Sequence, residues 1–432
     1  MLVKSKQPGA FLRNRILLSG RALYLAIVIA FITSVLAFLF LLSRYYSYIE
    51  INTLKKQQEL TDNVESALHL ILQKPELIPF NEEQQLDIFN DGSRICKVQK
   101  KHWGLYQHAW AESGWKQLKY QRLALFGERI AGEGAKGLYL ADHGHYLAVA
   151  GDTYLSGDCY LPKLGVRKAY IDGKSFKYRD IVHGKTYTSQ EKLPLLLEDW
   201  VKYVETELFV TANDSMADEN YLYTKNLNRS FRIKTVRVYN ENEIVLSGIN
   251  VSGNCIVQSA KKIFIRKDAE IENVICVAPI IEVEEDFKGT VQLFALDSIL
   301  LQDNVTLQYP SALVVSGFGR SSVYTAIPSG CNISGSVVLF TDSEEGTDVT
   351  LIIDENVVIN GQVYCAGKVS HKGVVNGSLY CDKLFLQTRQ GYYENHLLDA
   401  KIDPLSLEPS FASGIILNEK TGTSNQVILW LN

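Results

Sequence analysis

The stretch INGQVYC (Ile359–Cys365) is followed, sixteen residues further along, by VNGSLYC (Val375–Cys381). Each consists of an apolar residue, Asn-Gly and a short apolar segment that ends in cysteine. A repeat this short is too small to be a domain, so it predicts one unit of a structure that stacks. We therefore expect Cys365 and Cys381 to occupy equivalent positions, one coil apart.

The same motif, an apolar residue followed by Ser, Asn or Asp and then Gly, recurs elsewhere in the chain. We predict that its glycines lie at bends between short strands, because glycine adopts left-handed backbone angles without steric cost. These predicted turn positions are Gly157, Gly173, Gly253, Gly335, Gly361 and Gly377.

Between the glycine motifs, apolar residues recur every 18 residues. Three columns illustrate this spacing: Ile263, Ile281 and Ile299; Ile265, Val283 and Leu301; and Asp268, Asp286 and Asn304. A six-residue period subdivides each interval. Three faces of six residues with Asn, Asp or Gly at the bends are typical of one turn of a β-helix. We predict a β-helix over residues 236–390, preceded by a first coil or two over 150–185.

Other patterns flank the predicted β-helix. Residues 80–149 contain short alternating runs separated by turn residues, which predicts a small antiparallel β domain. Residues 186–235 read as a helical insertion, because Leu196, Trp200, Val204 and Leu208 share one helical face. Residues 391–432 lose the period and are expected to cap one end, since the exposed end of a solenoid promotes polymerisation.

The N-terminus predicts a membrane anchor. Residues 22–43, from Ala22 and Leu23 to Ser43, form a 22-residue segment without charge, and residues 1–21 contain five Lys or Arg and no acid. By length and flanking charge this is a transmembrane helix with a basic cytoplasmic segment before it. A cleaved secretory signal is the competing interpretation, although its apolar region is usually shorter. Residues 44–74 continue as an amphipathic helix that ends before Pro75. The predicted fold class is therefore mainly β, with a single N-terminal transmembrane helix.

The charge balance and the cysteine spacing exclude some functional classes. The chain has 44 Lys and Arg against 48 Asp and Glu, and we find no basic run that indicates nucleic acid binding. Its seven cysteines lack the CxxC spacing of zinc or redox sites. Five of them fall on apolar positions of the repeat, which favours small buried residues, although a disulfide between stacked cysteines stays open.

No catalytic or cofactor-binding motif is present, and we predict no catalytic, cofactor-binding or metal-binding residues. The tetrapeptide DHGH (Asp142–His145) is expected to form a hairpin turn, with a metal site as the alternative. Stacked carboxylates near Arg266 could serve a polysaccharide-cleaving site, or could simply form a solvated charged face. The charged residues concerned are Glu282, Glu284, Glu285, Asp286, Arg266, Lys267 and Asp268.

Over residues 236–390, the rung of 16–18 residues with a six-residue period resembles the bactofilins, which are polymer-forming bacterial cytoskeletal proteins. This resemblance implies a right-handed β-helix without catalytic residues and a scaffolding role.

Over residues 20–74, the sequence is similar to the N-termini of minor pilins and of K-type pseudopilins of type II secretion systems. Those begin with Gly, any residue, Ala and Leu at the membrane edge, and here Gly20, Arg21, Ala22 and Leu23 match. The resemblance implies processing between Gly20 and Arg21 and a subunit of a pilus or pseudopilus.

Together these patterns predict a single-pass protein of the bacterial inner membrane with a cytoplasmic N-terminus and a periplasmic head. The expected partners are the lipid bilayer and envelope proteins, with self-association or polysaccharide as further candidates. The leading functional prediction is a structural or assembly protein. The alternatives are a polymerising scaffold and a polysaccharide-binding or polysaccharide-cleaving protein.

Overall fold

The computed structural model describes residues 20–89, 92, 95–132, 134–210, 216–223, 227–342, 348–418 and 424–431. The predicted basic segment, 1–21, lies outside the described residues except for Gly20 and Arg21. The chain divides into two compact units, Met1–Asp62 and Asn63–Asn432. The described part of the first unit is helical, and the second unit contains all the described strands.

Helix α1 (Gly20–Gln73) is 54 residues long and starts at the predicted anchor. Residues 22–43 would span about 33 Å at 1.5 Å per residue, close to the thickness of a bilayer's hydrocarbon core. Their apolar side chains are exposed, as for Phe31 at 69% and Leu41 at 66%. Among the described residues, α1 is the one helix with the length and composition to cross a membrane.

The last turns of α1 belong to the second unit. Val64, Ala67, Leu68 and Ile71, the predicted apolar face, are buried. The helix ends at Gln73, and a 3₁₀ turn (Pro75–Leu77) follows, because proline has no N–H group to continue the helix.

An antiparallel sheet packs against this end of α1. Its strands are β1 (Glu83–Asp87), β2 (Ile95–Trp103), β3 (Tyr106–Trp115), β4 (Leu118–Arg129), β31 (Ala412–Ser413) and β32 (Asn425–Leu431). On one face, Val98, Ala109 and Phe126 cluster with the buried residues of α1. On the other face, Leu105 and Leu125 pack against the parallel strands described next. The sheet is thus the middle layer of the second unit.

The remaining strands are mostly parallel. A 21-stranded sheet, termed the parallel stack, comprises β5 (Lys136–Leu140), β7 (Tyr154–Ser156), β8 (Asp158–Leu161), β12 (Val182–His183), β13 (Thr186–Thr188), β14 (Leu227–Arg229), β15 (Val236–Asn240), β16 (Ile244–Leu246), β17 (Asn250–Gly253), β18 (Cys255–Ser259), β19 (Lys262–Ile265), β20 (Glu270–Val283), β21 (Lys288–Leu301), β22 (Thr306–Val315), β23 (Ser322–Ile327), β24 (Asn332–Leu339), β25 (Asp348–Ile353), β26 (Val358–His371), β27 (Val374–Gln387), β28 (Tyr392–Glu394) and β30 (Lys401–Ile402). Beside it lie the parallel strands β6 (Leu147–Ala150), β9 (Val166–Lys168) and β29 (His396–Leu398), and the antiparallel pair β10 (Tyr170–Ile171) and β11 (Lys174–Ser175).

The registers of the parallel stack follow the sequence period. Ile263 pairs with Ile281, and Ile281 with Ile299, which confirms the predicted 18-residue column. Cys365 pairs with Cys381 sixteen residues later, as predicted. Ile333 pairs with Ile359 at a longer interval of 26 residues. All of these side chains are fully buried. Parallel pairing at these intervals is consistent with the predicted β-helix.

The structure changes the predicted order of the strands. Residues 150–185 do not stack on the first strands after residue 236, β15 to β17. Instead, β7 pairs with β30, and β8 pairs with β5, which itself pairs with β27. Strands β12 and β13 then pair with β7 and β8. The early segment therefore extends the end of the stack formed by the latest parallel strands, and we call the surface around β12 and β13 the far end.

The predicted helical insertion, 186–235, is mainly a return path. In its described residues, 186–210, 216–223 and 227–235, the helical parts are α2 (Glu198–Tyr203), a π turn (Val204–Leu208) and a 3₁₀ turn (Glu219–Tyr223). The carbonyl oxygen of Pro194 accepts a hydrogen bond from the hydroxyl of Tyr364 (3.0 Å), and that of Leu208 accepts one from Arg237 (2.8 Å). The segment thus runs along one side of the stack, from β26 towards β15.

The predicted boundaries at 80–149 and 391–432 also shift. The antiparallel sheet ends at Arg129, because β5 and β6 pair in parallel with later strands. The C-terminal region divides between the two sheets: β29 and β30 join parallel strands, and β31 and β32 pair with β4.

Candidate functional site

The predicted anchor residues lie on one helix. Ala22, Leu23 and Ser43 belong to α1, and their side chains are exposed. Gly20 and Arg21, the predicted processing site, are the first two residues of that helix. A run of exposed apolar side chains of this length is stable only when lipid or protein covers it.

The six predicted turn glycines fall into two groups. Gly157, Gly173 and Gly253 have left-handed φ angles of 73°, 81° and 84° and lie at the ends of strands, as a turn requires. Gly335, Gly361 and Gly377 lie inside β24, β26 and β27. Their φ angles are 154°, 145° and 149°, a backbone conformation that residues other than glycine rarely adopt, although no strand ends at them.

The second glycine group forms a column for a different reason. A Cβ atom on Gly361 would overlap the carbonyl oxygen of Gly335, and one on Gly377 would overlap that of Gly361. Beside this column, the amide of Asn376 donates to the side-chain oxygen of Asn360 at 2.9 Å. Two things therefore favour glycine here: the close approach of neighbouring strands and the positive φ angles.

Two of the three residues in the predicted polar column, Asp286 and Asn304 but not Asp268, have left-handed φ angles. Asp286 and Asn304 adopt φ angles of 60° and 59°, and Gly330 and Asn356 adopt 80° and 61°. The amide of Asn304 lies 3.4 Å from the carboxylate of Asp286. Asn, Asp and Gly are the residues that tolerate this conformation, so their recurrence marks the bends.

The charged column carries ion pairs between neighbouring strands. Arg266 lies 3.3 Å from the carboxylate of Glu284, which also accepts the backbone N–H of Lys267. Lys262 pairs with Glu282 at 2.6 Å. These partly exposed pairs are consistent with a charged surface in contact with solvent.

DHGH lies in a local bend, and the predicted hairpin is wrong, because β5 before it and β6 after it belong to different sheets. The carboxylate of Asp142 accepts backbone N–H groups from Gly144 (2.9 Å) and Lys163 (3.0 Å), and these hydrogen bonds lower its pKa. His143 contacts the carboxylate of Asp382 at 2.8 Å. Within the described part of the chain, no cluster of three or more His, Cys, Asp or Glu side chains has the arrangement of a metal site.

All seven cysteines are buried free thiols. Burial raises the pKa of Cys96 and of Cys365 to about 12. The thiolate is the reactive form of cysteine, so these side chains behave as small apolar residues of the core.

A buried amine and one imidazole lie beside a cavity that the sequence did not indicate. The cavity, of about 520 Å³, lies between the antiparallel sheet and α2. The ammonium of Lys100 donates to the carbonyl oxygen of Pro75 (2.5 Å) and lies 4.0 Å from the ring centroid of Phe80. Burial lowers the pKa of Lys100 to about 8 and that of His102 to about 4. The ring of His102 stacks between Phe80 and Tyr203. Every one of these groups already has packing or hydrogen-bond partners, so their first role is structural.

The most extended feature is a ladder of five tyrosines, one on each of five successive parallel strands: Tyr364, Tyr380, Tyr139, Tyr160 and Tyr187. Ring centroids along it are separated by 6.3, 5.9, 5.4 and 5.0 Å. The first rings are buried, whereas Tyr187 at the far end is 41% exposed. The ladder therefore ends on an open ring face.

The sequence analysis did not predict the ladder, although each of its five tyrosines lies within a strand. The pairing of β5 with β27 places Tyr139 beside Tyr380. This pairing cannot be predicted from the spacing of the repeat.

Comparison with known proteins found no match: no protein-family model, no curated protein and no solved structure is similar to this chain.

Proposed function

We propose that this protein is a membrane-anchored structural subunit whose head lies outside the cytoplasm. The observation that carries the proposal is α1. One uninterrupted helix contains an uncharged 22-residue segment and, in its last turns, residues buried in the core of the second unit. The same helix thus supplies a segment of membrane-spanning length and part of the core of the second unit, which supports an anchored head.

The proposed orientation of the chain in the membrane follows from the charged residues before the span. Five Lys or Arg and no acid precede Ala22. The positive-inside bias then favours a cytoplasmic N-terminus and an extracytoplasmic head, at the inner membrane of a bacterium.

The second unit supports a structural role. We interpret the parallel stack as a β-helix whose repeat length resembles that of bactofilins. Its core is a continuous set of apolar columns that the antiparallel sheet and the return path cover on one side. Such a body is stiff, because each strand is paired along its length. In a pilin-like or pseudopilin-like assembly it would form a bulky head, with α1 packing among other membrane helices.

Membrane insertion can be tested with charges placed in the span. Val35→Lys combined with Leu39→Lys costs about 2.5–3.5 kcal/mol per lysine at the centre of a membrane helix. We expect this variant to lose resistance to carbonate extraction from membranes. Gln57→Lys combined with Gln58→Lys is the matched control, because both positions are exposed on α1 beyond the span. Equal extraction of the two variants would contradict a transmembrane anchor.

Processing and topology need two further measurements. Mass spectrometry of the mature protein distinguishes a chain that begins at Arg21, as expected for a pilin-like subunit, from one that retains Met1, as expected for a permanently anchored scaffold. Alkaline phosphatase fused to the C-terminus is active only after export. An inactive fusion in intact membranes would contradict the extracytoplasmic head.

A further inference from the structure

The far end of the parallel stack combines an open strand edge, an open aromatic ring and an excess of positive charge. Strand β13 (Thr186–Thr188) pairs with β8 on one side, and no strand pairs with its other side within the described residues. All three residues of β13 are exposed. The opposite end of the stack differs, since Leu222 from the 3₁₀ turn is buried there in the core.

Backbone hydrogen bonds show which groups are on the open edge. The carbonyl oxygen of Lys185 accepts from the N–H of Cys159 (2.8 Å), and the N–H of Ser189 donates to Leu161 (2.8 Å). Backbone groups alternate in direction along a strand. Thr186 and Thr188 therefore point their N–H and C=O groups away from β8, where an incoming strand could pair with them.

The edge lies in a basic region. Residues 161–190 contain seven Lys or Arg and two Asp, a net charge of +5 in a chain whose total is −4. Two of the lysines are neutralised by neighbouring carboxylates: Lys174 pairs with Asp399, and Lys177 pairs with Asp152. The other five cations are exposed, and no salt bridge joins them to a carboxylate of the described chain: Lys163, Arg167, Lys168, Arg179 and Lys185.

The tyrosine ladder indicates which type of side chain a strand added to β13 should have. Each strand from β26 to β13 places one ring about 5–6 Å from the preceding one, and Tyr187 has one covered and one open face. A strand added to β13 in the same register would place a side chain over that open face, and an aromatic ring would continue the stack.

We propose that the far end binds an extended acidic segment of a partner protein, which adds a strand to β13 and places an aromatic residue over Tyr187. Main-chain hydrogen bonds to Thr186 and Thr188 hold the segment, and the surrounding cations attract its carboxylates. This inference concerns the second unit alone and goes beyond the proposed function: a failure of the membrane tests leaves it standing, and its own failure leaves the anchor standing.

Fluorescence anisotropy on the full chain in detergent micelles tests the proposal. The probe is a fluorescein-labelled synthetic ten-residue peptide of alternating Glu and Thr with one central Tyr. We expect saturable binding that weakens with added salt, and about tenfold weaker binding when the peptide's Tyr is replaced by Ala.

Three pairs of variants assign the contacts. Thr188→Pro removes one outward N–H group and should weaken binding about tenfold, whereas Thr188→Val retains that group and should bind like the wild type. Tyr187→Ala should weaken binding, and Tyr187→Phe, which retains the ring, should not. Lys185→Glu with Arg179→Glu should abolish binding, and Lys185→Gln with Arg179→Gln should weaken it. Circular dichroism confirms that each variant is folded.

Polygalacturonate and phosphatidylglycerol vesicles serve as competing anionic ligands. If either binds and the peptide does not, or if Thr188→Pro leaves peptide binding unchanged, the far end is an electrostatic surface and the strand-addition proposal is wrong. A dimer of the chain that Thr188→Pro dissociates, in the absence of peptide binding, would also overturn it, because the occupant of the edge would then be a second copy.

Discussion

Gln292 of β21 binds Leu105 at the tip of the β2–β3 hairpin. Its side-chain oxygen accepts the backbone N–H of Leu105 at 2.8 Å, and its amide nitrogen donates to the carbonyl oxygen of Trp103 at 3.2 Å. The hydroxyl of Tyr203 accepts the N–H of Gly104, and the indole of Trp200 donates to the carbonyl oxygen of Gly104. The backbone N–H and C=O groups of this buried turn thus find hydrogen-bond partners on both the parallel stack and the return path.

Gln292→Ala should destabilise the second unit. It removes two buried hydrogen bonds and leaves their backbone partners without replacement, at a cost of about 2–4 kcal/mol. Urea unfolding followed by circular dichroism measures the change. Gln190→Ala is the control, because its side chain is exposed, and it should shift stability by less than about 0.5 kcal/mol. Equal stability of the two variants would show that the hairpin tip is not held as described.

Gly361→Ala should be among the most destabilising single methyl additions in the chain. The new Cβ overlaps the carbonyl oxygen of Gly335, so two paired strands must separate, and we expect a loss of more than about 3 kcal/mol. Gly361 also has a φ angle of 145°, so Gly132→Ala is the control, because Gly132 has a φ angle of 120° and only the Arg129 side chain, at 3.5 Å, near the added methyl group. It should cost only the backbone strain, about 1–3 kcal/mol. Similar losses in both variants would mean that backbone angle, not crowding, explains the column.

Stability should fall as the pH falls from about 6.5 towards 4. Burial lowers the pKa of His102, His108 and His371 to about 4, and their Nδ1 atoms have no hydrogen-bond partner in the described structure. Below its ordinary pKa of about 6.5, each histidine binds a proton in the unfolded chain but not in the folded one. Stability is therefore complete above pH 6.5, and each histidine removes at most about 3 kcal/mol by pH 4.

His371→Gln isolates one contribution to this pH dependence. Its stability, measured by urea unfolding at pH 7.5, 5.5 and 4.5, should decline less steeply with acid than that of the wild type. His145→Gln changes an exposed side chain and should retain the steeper decline. A wild-type protein that is equally stable at all three pH values would refute the assignment of buried neutral histidines.

The native protein should resist thiol reagents. All seven cysteines are buried, and burial raises the pKa of Cys255 to about 12, which leaves almost no thiolate at neutral pH. We expect Ellman's reagent to detect no fast-reacting thiol in the native protein and seven after denaturation. Five after denaturation would instead indicate a disulfide, with Cys365 and Cys381 as the first pair to examine.

Much of the core was predictable because the sequence repeats what the core needs. The Ile263–Ile281–Ile299 column and the bends at Asp286 and Asn304 require the same residue types at each level, so the period is visible in the sequence. The Asn-Gly motif predicted a backbone angle that favours glycine at Gly361, but it did not indicate that this glycine would lie inside a strand against a neighbouring carbonyl group. The position of β5 beside β27 could not be predicted, since a period gives the spacing within a stack but not the order of its segments.

The candidate surfaces were harder to predict than the fold. The anchor was visible from Ala22 to Ser43 because a membrane span needs a long uncharged run. The far end depends on which strands meet there, so the exposed ring of Tyr187 and its basic surroundings emerge only once β13 is seen to be the last strand of the stack.

The position of residues 136–188 imposes an order on biogenesis. Within this segment β5 pairs with β27 and β7 pairs with β30, which are synthesised more than two hundred residues later. Strand β8, in contrast, pairs with β5 and β13, which are close to it in sequence. The long sequence separation makes closure of the β5–β27 and β7–β30 pairs slow. These strands can join the stack only after nearly the whole chain has been made, so their edges are unpaired during most of synthesis.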